Sequence, residues 1–189
     1  MSKKTLGLIG GLLVVTVVLL VIALSTERKK LPTIPTEKVT PTPIAHTFLS
    51  LSPNPVTVSQ NGAGSVDVII DTDKDKASGY QLEMTYDPEA LTNVQIKQAG
   101  LFANALPLTP INKVDQATGR ITFAVGISPA QDSIAGKGTI ATITFNKKPG
   151  TSESQTTIQI LPQTVVTDLE RSSSVLKESS NTTILLSSQ

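Results

Sequence analysis

The sequence predicts an all-β fold, an antiparallel sandwich, carried behind one apolar helix and a proline-rich stalk. Three observations predict it. Beyond residue 46, short runs alternate apolar and polar residues with period two, the signature of strands with one buried face. Turn-forming residues separate these runs at Asn61-Gly62, Asp87-Pro88, Thr118-Gly119, Gly136-Lys137-Gly138 and Pro149-Gly150. No segment after Leu24 keeps a helical period over several turns. Strands at this spacing, rich in Val, Ile and Thr, argue for two packed sheets.

With 189 residues, the chain has room for one folded domain plus appendages. Residues 1–30 are expected to form a membrane anchor. The stretch from Leu6 to Leu24 is interrupted by nothing more polar than Thr16 and three glycines. At about 1.5 Å per residue, a helix of that length spans nearly all of a hydrocarbon core about 30 Å thick. Ala23 and Ser25 offer a small-residue cleavage site, but a cleavable signal usually has a shorter apolar core, so an uncleaved anchor is the expectation. Lys3 and Lys4 on one flank balance Arg28, Lys29 and Lys30 on the other, so charge does not set the orientation. The N-terminus is placed inside because the chain beyond the anchor has exported architecture. Residues 31–45 read as a semi-rigid linker, since prolines at 32, 35, 41 and 43 remove amide donors and hold the backbone extended. In that conformation the linker lifts a domain about 40 Å from the membrane.

The domain itself occupies residues 46–189. Val66, Val68 and Ile70 point one way in SVDVIID, and Leu82, Met84 and Tyr86 do so in YQLEMTY, leaving Gln81, Glu83 and Thr85 on the other face. Ile121, Phe123 and Val125 repeat the pattern, as do Ala141, Ile143 and Phe145. TTIQIL, QTVVTD and NTTILL are the later strands. Asp87 followed by Pro88 suits the start of a helical turn, with Asp as cap and Pro at the first position. Leu91 then folds back onto the sandwich.

Composition excludes several functions. A formal net charge of +1, with no basic block, gives no footprint for nucleic acid. The absence of cysteine removes disulfides, thiolate metal sites and a thiol nucleophile. The sole histidine, His46, sits where linker meets domain, so Ser-His catalysis has no rigid place to act. Glu83, Asp87 and Glu89 are the carboxylates closest to a glycosidase pair, but they flank a turn and imply no cleft. Asp71, Asp73 and Asp75 begin like a calcium loop, yet counting from Asp71 puts Lys76 sixth and Leu82 twelfth, and counting from Asp73 puts Ser78 and Met84 there. Neither register supplies the glycine or the closing glutamate that such a loop requires. No metal site and no catalytic residue are expected.

The order SLSPNPVTV, VDVIIDT, SGYQLEMTYDPEAL, AGLF, GRITFAV and GKGTIATITF resembles a cohesin module, over about Thr47 to Ser187. The resemblance implies a jelly roll of about nine strands. It also implies a binding partner, the dockerin, a small helical module that carries the calcium itself, so no cofactor is expected on this chain. Cohesins of the best-known type dock through one flat face built from their third, fifth, sixth and eighth strands. Carried over by position, the third offers Gln81, Glu83 and Thr85. The fifth offers Arg120, Thr122 and Ala124, with Ile127 just beyond, and the sixth offers Thr142 and Thr144. The sequence departs from cellulosomal cohesins in having few acids and aromatics on this face.

Two other readings stay open, a carbohydrate-binding module and an adhesion or structural surface domain. The first shares the jelly-roll architecture but stacks exposed aromatic rings on sugars. With no tryptophan and only Tyr80 and Tyr86 as tyrosines, that platform is nearly absent. The resulting expectation is a single-pass surface protein with its C-terminal domain outside the cell, secreted if the leader is cleaved. Its partner is a dockerin-bearing protein, with polysaccharide as a further candidate ligand.

Overall fold

The computed structural model describes Gly7 and residues 13–21, 44–59, 62–128 and 130–187, with backbone alone for residues 106–110. The chain divides into two units, Met1–Thr42 and Pro43–Gln189. In the first, residues 13–21 are helical. Among the described residues no helix is long and apolar enough to cross a membrane. Most of the expected span from Leu6 to Leu24, and the expected linker up to Pro43, lie outside the described residues.

The second unit is all-β. Its strands are β1 (Thr47–Ser52), β2 (Val56–Val58), β3 (Ala63–Asp71), β4 (Gly79–Thr85), β5 (Leu91–Gln98), β6 (Leu106–Asp115), β7 (Arg120–Gly126), β8 (Lys137–Lys147), β9 (Gln155–Ile160), β10 (Val165–Thr167), β11 (Leu176–Ser180) and β12 (Thr182–Leu186). A five-stranded sheet runs β11-β1-β3-β8-β5. A seven-stranded sheet runs β2-β12-β9-β4-β7-β6, with β10 beside β4. The period-two residues meet between them: Val66, Val68 and Ile70 from one sheet, Leu82, Met84, Ile121 and Val125 from the other, all wholly buried. Burying such a set is the main favourable term in folding this unit.

The sandwich departs from the expected antiparallel one in two places, because β1 pairs with β11 and β2 with β12 in parallel. The cause lies in breaks within single extended segments. Pro53 and Pro55 donate no amide hydrogen, so the ladder of β1 cannot continue, and the chain crosses to the other sheet as β2. Asn181 marks the matching crossing from β11 to β12, and the Asn54 side-chain amide donates to its carbonyl at 3.3 Å. A third break, at residues 161–164, separates β9 from β10 along the same edge of β4. These breaks raise the strand number above the expected nine or so.

The turn chemistry follows the sequence. Asp87 Oδ1 accepts the Glu89 N–H at 2.8 Å and Leu91 is buried, as a capped turn requires. Gly119, at φ +67, closes the β6–β7 hairpin against the Tyr86 carbonyl, where a Cβ would collide. Beside it, the Gln116 side-chain amide donates to the Val94 carbonyl at 2.7 Å and accepts the Tyr86 hydroxyl at 3.1 Å. That contact covers a bulge in edge strand β5, between Thr92 and Gln95, and ties the two sheets together.

Candidate partner-binding face

The outer surface of the seven-stranded sheet is built by cross-strand pairs. Gln81 lies opposite Ala124, Glu83 opposite Thr122 and Thr85 opposite Arg120. On the far side of β7, Lys113 lies opposite Thr122 and Asp115 opposite Arg120. Since residues directly opposite share a face, six of the nine residues expected to bind a partner form one continuous patch. Ile127, just past β7, joins it from the end, half-buried and with its N–H on the Ser78 carbonyl at 2.8 Å.

Thr142 and Thr144 do not join it. They lie on β8, which pairs with β3 and β5 in the other sheet. The Thr142 hydroxyl donates to Asp67 there, at 2.7 Å. The misplacement has one source: β6, with Pro107 and Pro110 in it, lacks a readable alternation. Without that strand the count along the chain slips by one, and β8 is taken for a strand of the same sheet as β4.

Glu83 is the centre of the patch and only 8% exposed. A carboxylate so placed needs partners to offset lost hydration. Its Oε2 accepts the Thr122 hydroxyl at 2.9 Å and faces Arg120 Nη2 at 3.5 Å, and its Oε1 accepts the Gln81 amide at 3.0 Å. Its backbone is fixed as firmly. At the break between β9 and β10, the Thr164 hydroxyl accepts the Glu83 N–H and donates to the Glu83 carbonyl, both at 3.0 Å. Thr164 therefore replaces the missing ladder partner, a role that no sequence pattern had signalled.

At one end of the patch lies a shallow apolar depression of about 350 Å³, lined by Gln81, Ile111, Ala124, Ile127, Val165 and Leu169 among others. Gly79 lies in its floor, where a Cβ would sit 2.8 Å from the Val125 carbonyl oxygen. Leu169 is 54% exposed beside it, an apolar side chain left open to solvent. At the other end Lys113, Asp115 and Arg120 gather around Thr118 and Thr122. Hydrogen bonds from the Thr118 amide and hydroxyl and the Ala117 amide hold the Asp115 carboxyl below its ordinary range.

Both tyrosines turn inward. Tyr80 is 3% exposed, donates its hydroxyl to the Ile140 carbonyl at 2.8 Å and meets Phe102 edge-on at 5.1 Å. Burial pushes its phenol, and that of Tyr86, above the usual value. Phe102, Phe123 and Phe145 are core, and the partly exposed Phe48 lies under the Lys177 ammonium at 5.0 Å. Among the described residues no three His, Cys, Asp or Glu side chains converge as metal ligands. Asp71 instead faces Lys137 at 3.4 Å, and Asp75 faces Arg171 at 3.0 Å.

A family model described as the cohesin domain matches residues 55–186, well over half of the chain. The chain belongs to the cohesin family. Solved cohesins share its fold. A non-cellulosomal cohesin from the hyperthermophilic archaeon Archaeoglobus fulgidus superposes with a TM-score of 0.59 at 20% identity, over 77% of this chain and 94% of its own. The sixth cohesin of the Acetivibrio cellulolyticus scaffoldin B, solved with a dockerin, gives 0.60 at 18% identity over 75% and 99%. A type I cohesin–dockerin complex from Clostridium thermocellum gives 0.59 at 12% identity over 77% and 99%. No curated protein matches the chain. At these identities the likeness to the solved structures is one of fold.

Proposed function

We propose that this cohesin is a non-catalytic docking module for dockerin-bearing proteins, held outside the cell by residues 1–45 acting as anchor and linker. Cohesin domains are binding modules, and two of the similar solved structures hold dockerins. The observation that carries the reading is the apolar depression beside the pinned Glu83 network. It is an open surface with an apolar depression at one end and fixed polar groups beside it, the two ingredients of a protein–protein interface. The docking residues in this proposal are Gln81, Glu83, Thr85, Arg120, Thr122, Ala124 and Ile127, together with Val165 and Leu169, which line the depression.

A sugar-binding reading has no such support, because both tyrosines face the core. In this proposal the calcium belongs to the partner. Titration calorimetry of the full chain in detergent micelles against dockerins from its own genome tests both points. The expected result is binding with calcium that a chelator abolishes, while the melting temperature of this chain alone does not move. Failure of every such dockerin to bind would overturn the proposal.

A further inference from the structure

Where the second unit begins, the backbone of residues 44–47 is gripped by an ion pair that reaches in from two loops. Asp75, in the turn after β3, has a side chain with 0% solvent exposure. Its Oδ2 accepts the His46 N–H at 2.6 Å and the Thr47 hydroxyl at 3.4 Å. Its Oδ1 makes no aligned hydrogen bond but lies 3.0 Å from Arg171 Nη2, so that contact is mainly Coulombic. Arg171, in the loop between β10 and β11, gives its other amino group to the Ile44 carbonyl at 3.1 Å. One step further, the Thr47 N–H donates to the Val175 carbonyl at 3.0 Å.

A carboxylate taken wholly out of water needs both a counter-charge and hydrogen bonds to offset its lost hydration. Here the counter-charge is Arg171, and the hydrogen bonds come from the first residues of the domain. Drawing residue 44 away breaks the Arg171–Ile44 bond first. Drawing residue 46 away then strips the shortest bond from a buried charge. Peeling the N-terminal junction is therefore coupled to exposing a carboxylate that the folded domain keeps dry.

We propose that Asp75 and Arg171 form a latch that keeps β1 seated when the chain is loaded through the residues preceding Ile44. Its purpose rests on reading those residues as a tether, while its test needs no docking partner and so fails or succeeds separately from the docking proposal. The chain has no cysteine, so an introduced pair provides unique attachment points for force spectroscopy on the full chain in micelles. Handles at Thr36→Cys and Gln189→Cys load the junction, whereas handles at Asp132→Cys and Gln189→Cys bypass it.

With Asp75→Asn and Arg171→Met combined, unfolding at constant force should accelerate roughly tenfold or more through the junction pair and less than about twofold through the bypass pair. Equal acceleration through both pairs would make the ion pair an ordinary contributor to stability and overturn the latch. No acceleration through the junction pair would show that backbone pairing alone bears the load, which overturns it equally. Should the double variant not fold, Arg171→Lys, which keeps the charge but loses the planar fork that spans Asp75 and Ile44, is judged by the same contrast.

Discussion

The two outer faces of the sandwich are made from the same kinds of residue and differ in what they leave open. On the five-stranded sheet several groups find local partners: Thr142 bonds Asp67, Lys137 faces Asp71, and Lys177 covers the Phe48 ring. On the seven-stranded sheet the polar groups are also partnered, through Glu83, but the depression walled by the buried Ala124 and the half-buried Val165 leaves Leu169 open to solvent. Scattered threonines are ordinary on a solvated sheet. Uncovered apolar surface bordered by fixed polar groups is not, and this contrast separates a docking face from a merely soluble one.

The comparison can be broken most sharply by placing the same bulky charge on each face. Ala124→Arg, in the wall of the depression, should weaken dockerin binding by roughly a hundredfold or more in calorimetry. Thr144→Arg, on β8, should change it by less than about twofold. The reverse ranking would move the docking site to the five-stranded sheet and restore the two threonines that the topology sets apart.

A second contrast concerns stability. Thr164→Val leaves the buried Glu83 N–H without an acceptor and should cost about 1–3 kcal/mol in denaturant unfolding. Thr142→Val removes one half-exposed hydrogen bond and should cost less, about 0.5–1.5 kcal/mol. Equal losses would mean that the break between β9 and β10 is not what fixes Glu83.

The smallest effect at neutral pH is the most diagnostic at high pH. Tyr80 and Tyr86 are both held neutral, Tyr80 by burial and Tyr86 by burial with the Asp115 charge adding to it. A phenol whose pKa is raised on folding contributes stability that is present below its unfolded value of about 10 and is lost as pH rises beyond it. With no tryptophan to interfere, phenolate absorbance from Tyr80 should appear only together with unfolding, and that from Tyr86 above its ordinary range. Free titration of either ring near its ordinary value would place it on the surface and reopen the sugar-stacking reading.

How much of this was legible in the sequence depends on the length scale of the signal. The inward rows of β3, β4, β7 and β8 could be read because period two is a local property, and each row is buried. That Gln81, Glu83 and Thr85 share a face with Arg120, Thr122 and Ala124 came from the cohesin resemblance, and their register came only with the structure. β6 stayed hidden because prolines at an edge erase alternation, and losing it sent Thr142 and Thr144 to the wrong sheet. Neither Thr164 nor Val165 could be assigned, since their roles depend on where β4 changes neighbours, which is a fact of topology. Tyr80 shares the parity of Leu82, Met84 and Tyr86, so its inward side was legible from the same alternation although the row was begun at Leu82.

The crossing of both end segments between the sheets sets the route of the chain through the molecule. Thr47 pairs with Leu176 where the domain begins, and Val58 with Leu186 near where it finishes, so these end segments run the same way. At about 3.3 Å per residue, the path from Thr47 to Val58 has a contour of roughly 35–40 Å. The domain is thus a link and not a loop: its two ends emerge at opposite poles. Under the proposed tethering, whatever follows Leu186 stands farther from the junction at Ile44 by the length of the sandwich.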